Sequence, residues 1–236
     1  DQKSPGYFLT NTGIREINFS AAIGQTRENF EYEIFGSHFN TKSGILRATG
    51  LSENVDDLKN ALERDVPAGT SSFSYDINNP HQEVAHTLVK AKTKWRLNDN
   101  ELMVQYGFQN NLRKEFDIRR GNLRDIPSMD LSLNTHLLDA DLKLKKSNGH
   151  SLNLGANVFY QQNSNVAGTQ TIPFIPNYTL TTSGLYLTDR LRINAIVMEV
   201  GVRADYQALD VAGRDSRNEI FRSEQEFFSV SGILGA

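Results

Sequence analysis

The stretch LRKEFDIRRGNLRD at 112–125 gathers basic side chains around one aromatic ring. Its five Arg and Lys residues outnumber its three Asp and Glu residues. Guanidinium forks bind oxyanions through paired hydrogen bonds, and an aromatic ring offers a flat contact. The stretch therefore predicts contacts to an anionic, partly planar ligand through Arg113, Phe116, Arg119, Arg120 and Arg124. The alternative is a loop whose arginines pair with its own carboxylates, Glu115 and Asp117.

A second stretch, QNSNVAGTQTIPFIPN at 162–177, offers neutral polar groups on a stiffened segment. Asn163, Asn165 and Gln170 can supply hydrogen bonds, while two prolines restrict the backbone beside Phe174. These amides are candidate ligand contacts. The alternative is that they fold the segment onto its neighbours.

The sequence shows no motif typical of a catalytic site. The five histidines are scattered without HExxH spacing, and the chain contains no GxSxG motif, no P-loop and no cysteine. Asp139 and Asp141 share one side of a strand, as an acid pair could, but in a barrel they simply line the lumen. The expectation is a protein that is not an enzyme, with no metal site and no cofactor. A net charge of -3 gives no case for a nucleic-acid partner.

The elements that carry these residues are strands, as IVMEVGVRADY at 196–206 shows. Ile196, Val200 and Tyr206 fall on one parity, and Glu199 and Arg203 fall on the other. Strict alternation predicts a strand with two unlike faces. In a soluble sheet the apolar face packs in a core. In an outer-membrane barrel it faces lipid, and the charged face lines a wet lumen.

Nine segments carry such strand signals. They are 14–24, 30–40, 83–95, 101–109, 130–144, 151–161, 178–188, 196–206 and a last one from about 227. Three lysines alternate in 83–95, which a soluble core would not bury. The parity of 30–40 blurs after Gly36, which predicts a bulge there.

The connections between these segments alternate in length. QTREN, RLNDN, KKSNGH and TDRLRIN are hairpin-sized turns, whereas 41–82, 113–129, 162–177 and 207–226 are longer. Short periplasmic turns and long extracellular loops are typical of outer-membrane barrels. The 41–82 loop is expected to be extracellular and to contain a short helix, capped by Asn54 and ended by Pro67.

Aromatic residues on the apolar parity lie towards the ends of the strands. Rings at both membrane interfaces form girdles in such barrels. The predicted interface aromatics are Trp95, Tyr106, Phe108, Tyr160 and Tyr206. The predicted fold is therefore all-β: residues 1–236 form a segment of an antiparallel transmembrane β-barrel in contact with the lipid bilayer. A soluble β-sandwich, such as a glycan-binding module, is the alternative, and it would bury the apolar parity.

The order of several motifs resembles the barrel of TonB-dependent outer-membrane receptors, in particular those of Bacteroidetes-type bacteria. The resemblance runs from about Gly13 to Tyr206, and EFDIRRG followed by IPSMDL is its most specific part. The other motifs are EIFGSHFNTKSGIL, HQEVAHTLVKAK, QYGFQNNLRKEFDIRRG, IPSMDLSLNTHLLDADL, IPFIPNYT and GVRADY.

The resemblance implies a location in the outer membrane of a Gram-negative bacterium and active uptake of a scarce nutrient. Iron–siderophore complexes, haem, cobalamin and oligosaccharides are the nutrient classes concerned. Such receptors have about 22 strands and a plug through which the TonB–ExbB–ExbD system supplies energy. Nine strands with two unpaired edges would then be a slice of the barrel that does not fold alone, with the plug and the remaining strands outside this chain. A passive porin-like channel is the second functional alternative.

Overall fold

Nine long strands form one antiparallel sheet. The computed structural model describes residues 3–4, 6–46, 55–65, 70–145, 149–215 and 217–235. The nine strands are β3 (Ile14–Thr26), β4 (Phe30–Gly44), β6 (His81–Leu97), β7 (Asn100–Phe116), β8 (Met129–Lys145), β9 (His150–Asn165), β10 (Asn177–Ile193), β11 (Ile196–Arg214) and β12 (Ile220–Gly235). All nine predicted strands are confirmed.

The strands pair in the order in which they follow one another along the chain. The sheet order is β12-β11-β10-β9-β8-β7-β6-β4-β3, which leaves β3 and β12 as its edges. A small second sheet joins β1 (Lys3–Ser4), β2 (Tyr7–Leu9) and β5 (Thr70–Ser71). A helix, α1, spans Val55–Leu62 between β4 and β6, and a 3-10 helix spans Gly121–Leu123 between β7 and β8. Asn54 and Pro67 lie outside the described residues.

The strands extend further at one end than the alternation predicts. At the loop ends, β7 continues to Phe116 and β11 continues to Arg214. The link expected at 207–226 is consequently only 215–219, a hairpin-sized connection rather than a long loop. The predicted bulge after Gly36 is wrong, because Phe30–Gly44 pairs with β6 without interruption. The parity blurs there because Gly36, His38 and Asn40 follow Ile34 on the apolar parity, while the register with β6 does not change.

Across the described ranges the sheet is a single layer without a hydrophobic core. Among the described residues, Leu131 is the one buried hydrophobic side chain, with 7% exposed. No helix in the described ranges is long and apolar enough to cross a membrane. The apolar parity of β11 lies open, with Val200 and Val202 about half exposed. A soluble sandwich would bury this parity against a second layer, and the residues that the structure describes form no such layer.

Candidate functional site

The apolar residues of neighbouring strands meet in register and form one continuous surface, called here the apolar face. Leu102, Leu142, Leu154, Leu187 and Val202 are successive cross-strand partners on β7 to β11. The next line of partners runs through Val104, Ala140, Ala156, Leu185, Ala204 and Val230. Because these lines cross strands rather than follow one strand, the apolar face is a property of the whole sheet.

The height of the apolar face matches a membrane. Ile196 and Tyr206 bound it on β11, and ten residues of strand span about 33 Å. At the roughly 40° tilt of outer-membrane strands this corresponds to about 25 Å, the usual height of their apolar band. On β6 the same parity carries no charged residue between Ala85 and Trp95, which lie ten residues apart. That strand therefore gives the same height.

Strand tilt also fixes where the rim of this band crosses each strand. A membrane plane shifts by about 4 Å, a little over one residue, between strands that tilt by about 40° and lie about 4.8 Å apart. In register, Tyr206 connects to Ile34 of β4 and then to Ile23 of β3. Ile34 is thus six strands away from Tyr206 in the sheet, and Ile23 is seven strands away. The outer rim therefore crosses β4 near residue 41 and β3 near residue 15. A displacement of the rim in the opposite direction would carry it beyond the turn that joins β3 to β4.

The predicted interface aromatics fall into three groups on this scheme. Tyr160 and Tyr206 lie at the outer rim, and Trp95 lies at the inner rim, where its ring is 5.6 Å from that of Phe30. Phe108 and Tyr106 lie about three and five residues inside the outer rim. They cluster on one histidine: the Tyr106 hydroxyl is 2.7 Å from His136 Nδ1, and the Phe108 ring is 4.9 Å from the His136 ring. An interfacial role for these aromatics stays a prediction.

The opposite surface, called here the polar face, holds its charged residues in pairs. Lys94 Nζ lies 3.3 Å from Glu101 Oε2, and Lys90 Nζ lies 3.4 Å from Glu33 Oε1. The side chains of Lys94 and Glu101 are 27% and 29% exposed, whereas Leu185 on the apolar face is 66% exposed. Lys94 and Glu101 are thus more enclosed than Leu185. This is the reverse of a soluble protein and fits a wet lumen behind a lipid-facing wall.

Two glycines shape the polar face in a way that the alternation did not reveal. A Cβ at Gly155 would overlap the ring of Tyr186, whose hydroxyl donates a hydrogen bond to Asp141. A Cβ at Gly184 would overlap Arg203, whose Nη2 donates to Asn157 Oδ1 at 2.9 Å. Each glycine therefore admits a large side chain from the neighbouring strand across the sheet. A glycine beside an inward Tyr or Arg on the adjacent strand is the sequence signal for this packing.

The arginine stretch is divided between β7 and the loop after it, residues 117–128, called here the arginine loop. Arg113 pairs with Glu115, and Phe116 stacks on His81 with ring centres 4.4 Å apart. Arg119 Nη1 donates to the Thr169 carbonyl at 2.8 Å. These three side chains therefore have structural partners.

Arg120 and Arg124 are different from the other arginines of the stretch. Both are exposed, and neither guanidinium forms a hydrogen bond or an ion pair with any residue that the structure describes. Within the same described part, neither Asp117 nor Asp125 forms an ion pair with an arginine. Internal pairing within the stretch thus accounts for Arg113, and it leaves Arg120 and Arg124 available to an anion.

The amides of the second stretch hold residues 166–176, called here the proline loop. Asn163 is 4% exposed and its Nδ2 donates to the Pro176 carbonyl at 2.9 Å. Asn165 Nδ2 donates to the Ile175 carbonyl at 2.8 Å. Gln170 has a positive φ of 53°, and its neighbour Thr169 accepts the bond from Arg119. The two loops are therefore one hydrogen-bonded unit, and a ligand role for these three amides stays a prediction.

Comparison with solved structures agrees with this architecture. No protein-family model matches the chain, and no curated protein matches it. Among solved structures it is similar to the ferric yersiniabactin uptake receptor FyuA from Yersinia pestis, with a TM-score of 0.52 and 13% identity. The match covers 94% of this chain and 34% of the receptor, so the chain spans about a third of that receptor's length. The nine described strands thus form an open antiparallel sheet with the fold of a section of that receptor's β-barrel wall.

Proposed function

We propose that this chain forms part of the barrel of a TonB-dependent receptor in the outer membrane of a Gram-negative bacterium. The observation that carries the proposal is the continuous, exposed apolar face opposite a face of paired charges. Lipid is the environment that such a face requires, since an open row of apolar side chains, with Leu185 66% exposed, would be costly in water. The likeness to an uptake receptor of known structure supports the same class.

The edges of the sheet support a larger barrel. β3 and β12 each present an unpaired row of backbone N–H and C=O groups, and lipid offers these groups no partner. Further strands must therefore satisfy both edges. A receptor with about 22 strands and a plug, as in this class, meets the requirement.

The outer loops are where this section of wall would contact nutrient. The guanidinium groups of Arg120 and Arg124, which no described residue pairs, favour an anionic ligand, such as an iron–siderophore complex. The hydrogen bonds from Arg119 and Asn163 hold the arginine loop and the proline loop in place beneath that ligand. Energy for uptake would come from TonB–ExbB–ExbD through the plug. The wall itself would position the ligand without moving.

Uptake can be tested with a radiolabelled ferric tris-catecholate, an anionic and aromatic iron complex, in cells that produce the full-length receptor. Uptake is expected to require TonB and to fall about tenfold in the Arg120→Gln/Arg124→Gln variant, since two charge-assisted contacts are removed. The matched control is Asn122→Gln, which alters an exposed residue of the same loop. Uptake that persists without TonB would contradict active transport.

A passive channel is the second candidate, because paired charges on the polar face would also line a water-filled pore. The two functions differ in conductance across a planar bilayer. A receptor closed by a plug is expected to stay near the baseline, whereas a passive channel shows stable open-state currents. Open currents from the full-length protein without ligand would favour the channel.

A further inference from the structure

His81, the first residue of β6, is buried at the point where the arginine loop leaves the sheet. It is 6% exposed, and its ring stacks on that of Phe116 with centres 4.4 Å apart and planes 12° apart. Phe116 is the last residue of β7, so the arginine loop begins at the next residue. The position of this histidine ring is therefore coupled to the start of the arginine loop.

The residues just before His81 also contact the arginine loop. Asn79 Nδ2 donates to the Arg124 carbonyl at 2.7 Å. The Pro80 carbonyl accepts a hydrogen bond of 2.8 Å from Nδ2 of the buried Asn11, which fixes this segment to the sheet. The segment thus holds the arginine loop at two points, at its start through the ring stack and at Arg124 through a hydrogen bond.

His81 lies outside the membrane band. Its register partner on β4 is Gly44, about three residues beyond the point near residue 41 where the outer rim crosses that strand. The ring therefore responds to the pH of the external medium, on the side where nutrient arrives.

Charged groups from three strands surround this ring. Nε2 of His81 lies 3.3 Å from Glu83 Oε1, and the same carboxylate oxygen lies 3.1 Å from Lys42 Nζ on β4. On β7 the nearby cation is Lys114, whose Nζ lies 3.7 Å from the Asp130 carboxylate. The Glu83 carboxylate therefore favours a protonated ring, and the Lys42 ammonium opposes it.

Protonation of the ring is costly in this arrangement. Nδ1 of His81 is buried and forms no hydrogen bond of good geometry with any residue that the structure describes, although the Asn78 backbone lies beside it. A protonated imidazole is a donor at both nitrogens, and a buried donor without an acceptor is unfavourable. Burial, and then the Lys42 ammonium, lower the pKa of His81 from its ordinary value of 6.5, against the opposing effect of Glu83.

The direction of this pKa shift fixes how pH acts on the packed arrangement. A histidine released into water binds a proton more readily than the packed ring does. The packed arrangement is therefore fully stable above pH 6.5 and loses stability as the pH falls below that value towards the lowered pKa.

We propose that His81 is a pH-sensitive latch on the arginine loop, which the neutral ring holds in place and the protonated ring releases. The inference rests on the function proposed above for Arg120 and Arg124, and it adds control of that site by external pH. Release follows because a charged ring gains acceptors from water by leaving its stack on Phe116. The hydrogen bond from Asn79 to the loop lies only two residues away.

The test measures hydrogen exchange of residues 117–128 in the ligand-free, full-length receptor in nanodiscs, corrected for the intrinsic effect of pH. Exchange should accelerate from about pH 7.5 to about pH 5.5, by up to about tenfold for each unit by which the pKa is lowered. In His81→Gln, whose amide does not titrate, exchange should not depend on pH. His86→Gln is the matched control on the same strand, with Nε2 3.2 Å from Gln109 Oε1, and should keep the wild-type pH dependence.

Two neighbouring substitutions separate titration from a merely structural role. Lys42→Gln removes the cation that opposes protonation, so the midpoint of loop release should move to higher pH. Glu83→Gln removes the carboxylate that favours protonation, so the midpoint should move to lower pH. These opposite shifts test the latch even if His81→Gln by itself loosens the loop. Wild-type exchange that ignores pH, or midpoints that move in the same direction, would overturn the inference.

Binding of a ferric tris-catecholate extends the test to the ligand. The ratio of wild-type to His81→Gln affinity should fall several-fold from about pH 7.5 to about pH 5.5, and taking this ratio cancels the protonation of the ligand itself. A ratio that does not change with pH would overturn the control of the site. TonB-dependent uptake together with a loop that ignores pH would remove only the latch. A loop that responds to pH, with uptake that does not require TonB, would remove the proposed transport instead.

Discussion

The apolar face and the polar face belong to the same strands but obey different physical rules. On the apolar face, Leu187 and Val202 are specified by chemistry alone, since any apolar side chain would satisfy lipid. On the polar face, Tyr186 and Arg203 are specified by shape, because each depends on a glycine on the adjacent strand. The stability of the barrel should therefore respond mainly to changes of polarity on the apolar face and mainly to changes of side-chain volume on the polar face.

The largest expected effect comes from a charge on the apolar face. Leu187→Arg places a guanidinium near the middle of the apolar band and is expected to destabilise the folded barrel by about 2–4 kcal/mol. Urea unfolding of the full-length receptor in lipid vesicles measures it. Thr188→Arg, one residue away on the polar face, is the control and should cost less than about 1 kcal/mol. Equal losses for the two variants would abolish the distinction between the faces.

A methyl group on the polar face should have the next largest effect. Gly155→Ala places a Cβ where the Tyr186 ring lies, and overpacking of this kind costs about 1–3 kcal/mol. The same unfolding experiment measures the loss. Gly36→Ala, where a Cβ meets open space on the apolar face, is the control and should leave stability unchanged. If truncation of the ring in Gly155→Ala/Tyr186→Ala fails to recover stability, the packing explanation is wrong.

A third prediction extends the comparison to the outer loops. Asn163→Ala removes a buried donor from the Pro176 carbonyl and is expected to cost roughly 1–2 kcal/mol locally. Hydrogen exchange in residues 166–176 should accelerate, whereas Asn122→Ala in the arginine loop should leave that exchange as it was. Loss of ligand binding without faster exchange would instead make Asn163 a direct ligand contact.

The smallest expected effect comes from a single hydroxyl group. Tyr186→Phe removes the hydrogen bond to Asp141 but keeps the ring over Gly155, so the cost should be about 1 kcal/mol. Tyr160→Phe on the apolar face is the control, and it should cost less because no hydrogen bond to its hydroxyl is formed within the described part of the chain. A loss as large as that of Gly155→Ala would mean that the hydrogen bond, not the shape, holds Tyr186.

Alternation of residue types predicts the strands well because lipid and lumen select opposite chemistry at each step. It predicts the strand ends poorly. β11 continues past Tyr206 through Asp210 to Arg214, and in this zone both faces are wet, so period-two alternation of hydrophobicity disappears while the backbone ladder continues. The same effect made the link 215–219 look like a long loop.

The candidate ligand residues were harder to interpret from sequence. Arg113, Arg119 and Arg124 look equivalent in the stretch. In the described part of the chain, however, Arg113 pairs with Glu115, Arg119 holds Thr169 and Arg124 has no side-chain partner. Which partner each finds depends on the proline loop, which lies some 50 residues away along the chain. The Gly155–Tyr186 packing is likewise a contact between strands, and a period within one strand carries no information about it.

The most direct test of the account concerns which face of β11 meets lipid. The chain contains no cysteine, so single cysteines at Val200 and Glu199 can carry a spin label in the full-length receptor reconstituted in bilayers. The account predicts that the label at Val200 collides with oxygen, which concentrates in lipid, and that the label at Glu199 collides with a water-soluble relaxant. A label at Val200 that is shielded from both agents would show a face packed against protein, and it would contradict the barrel.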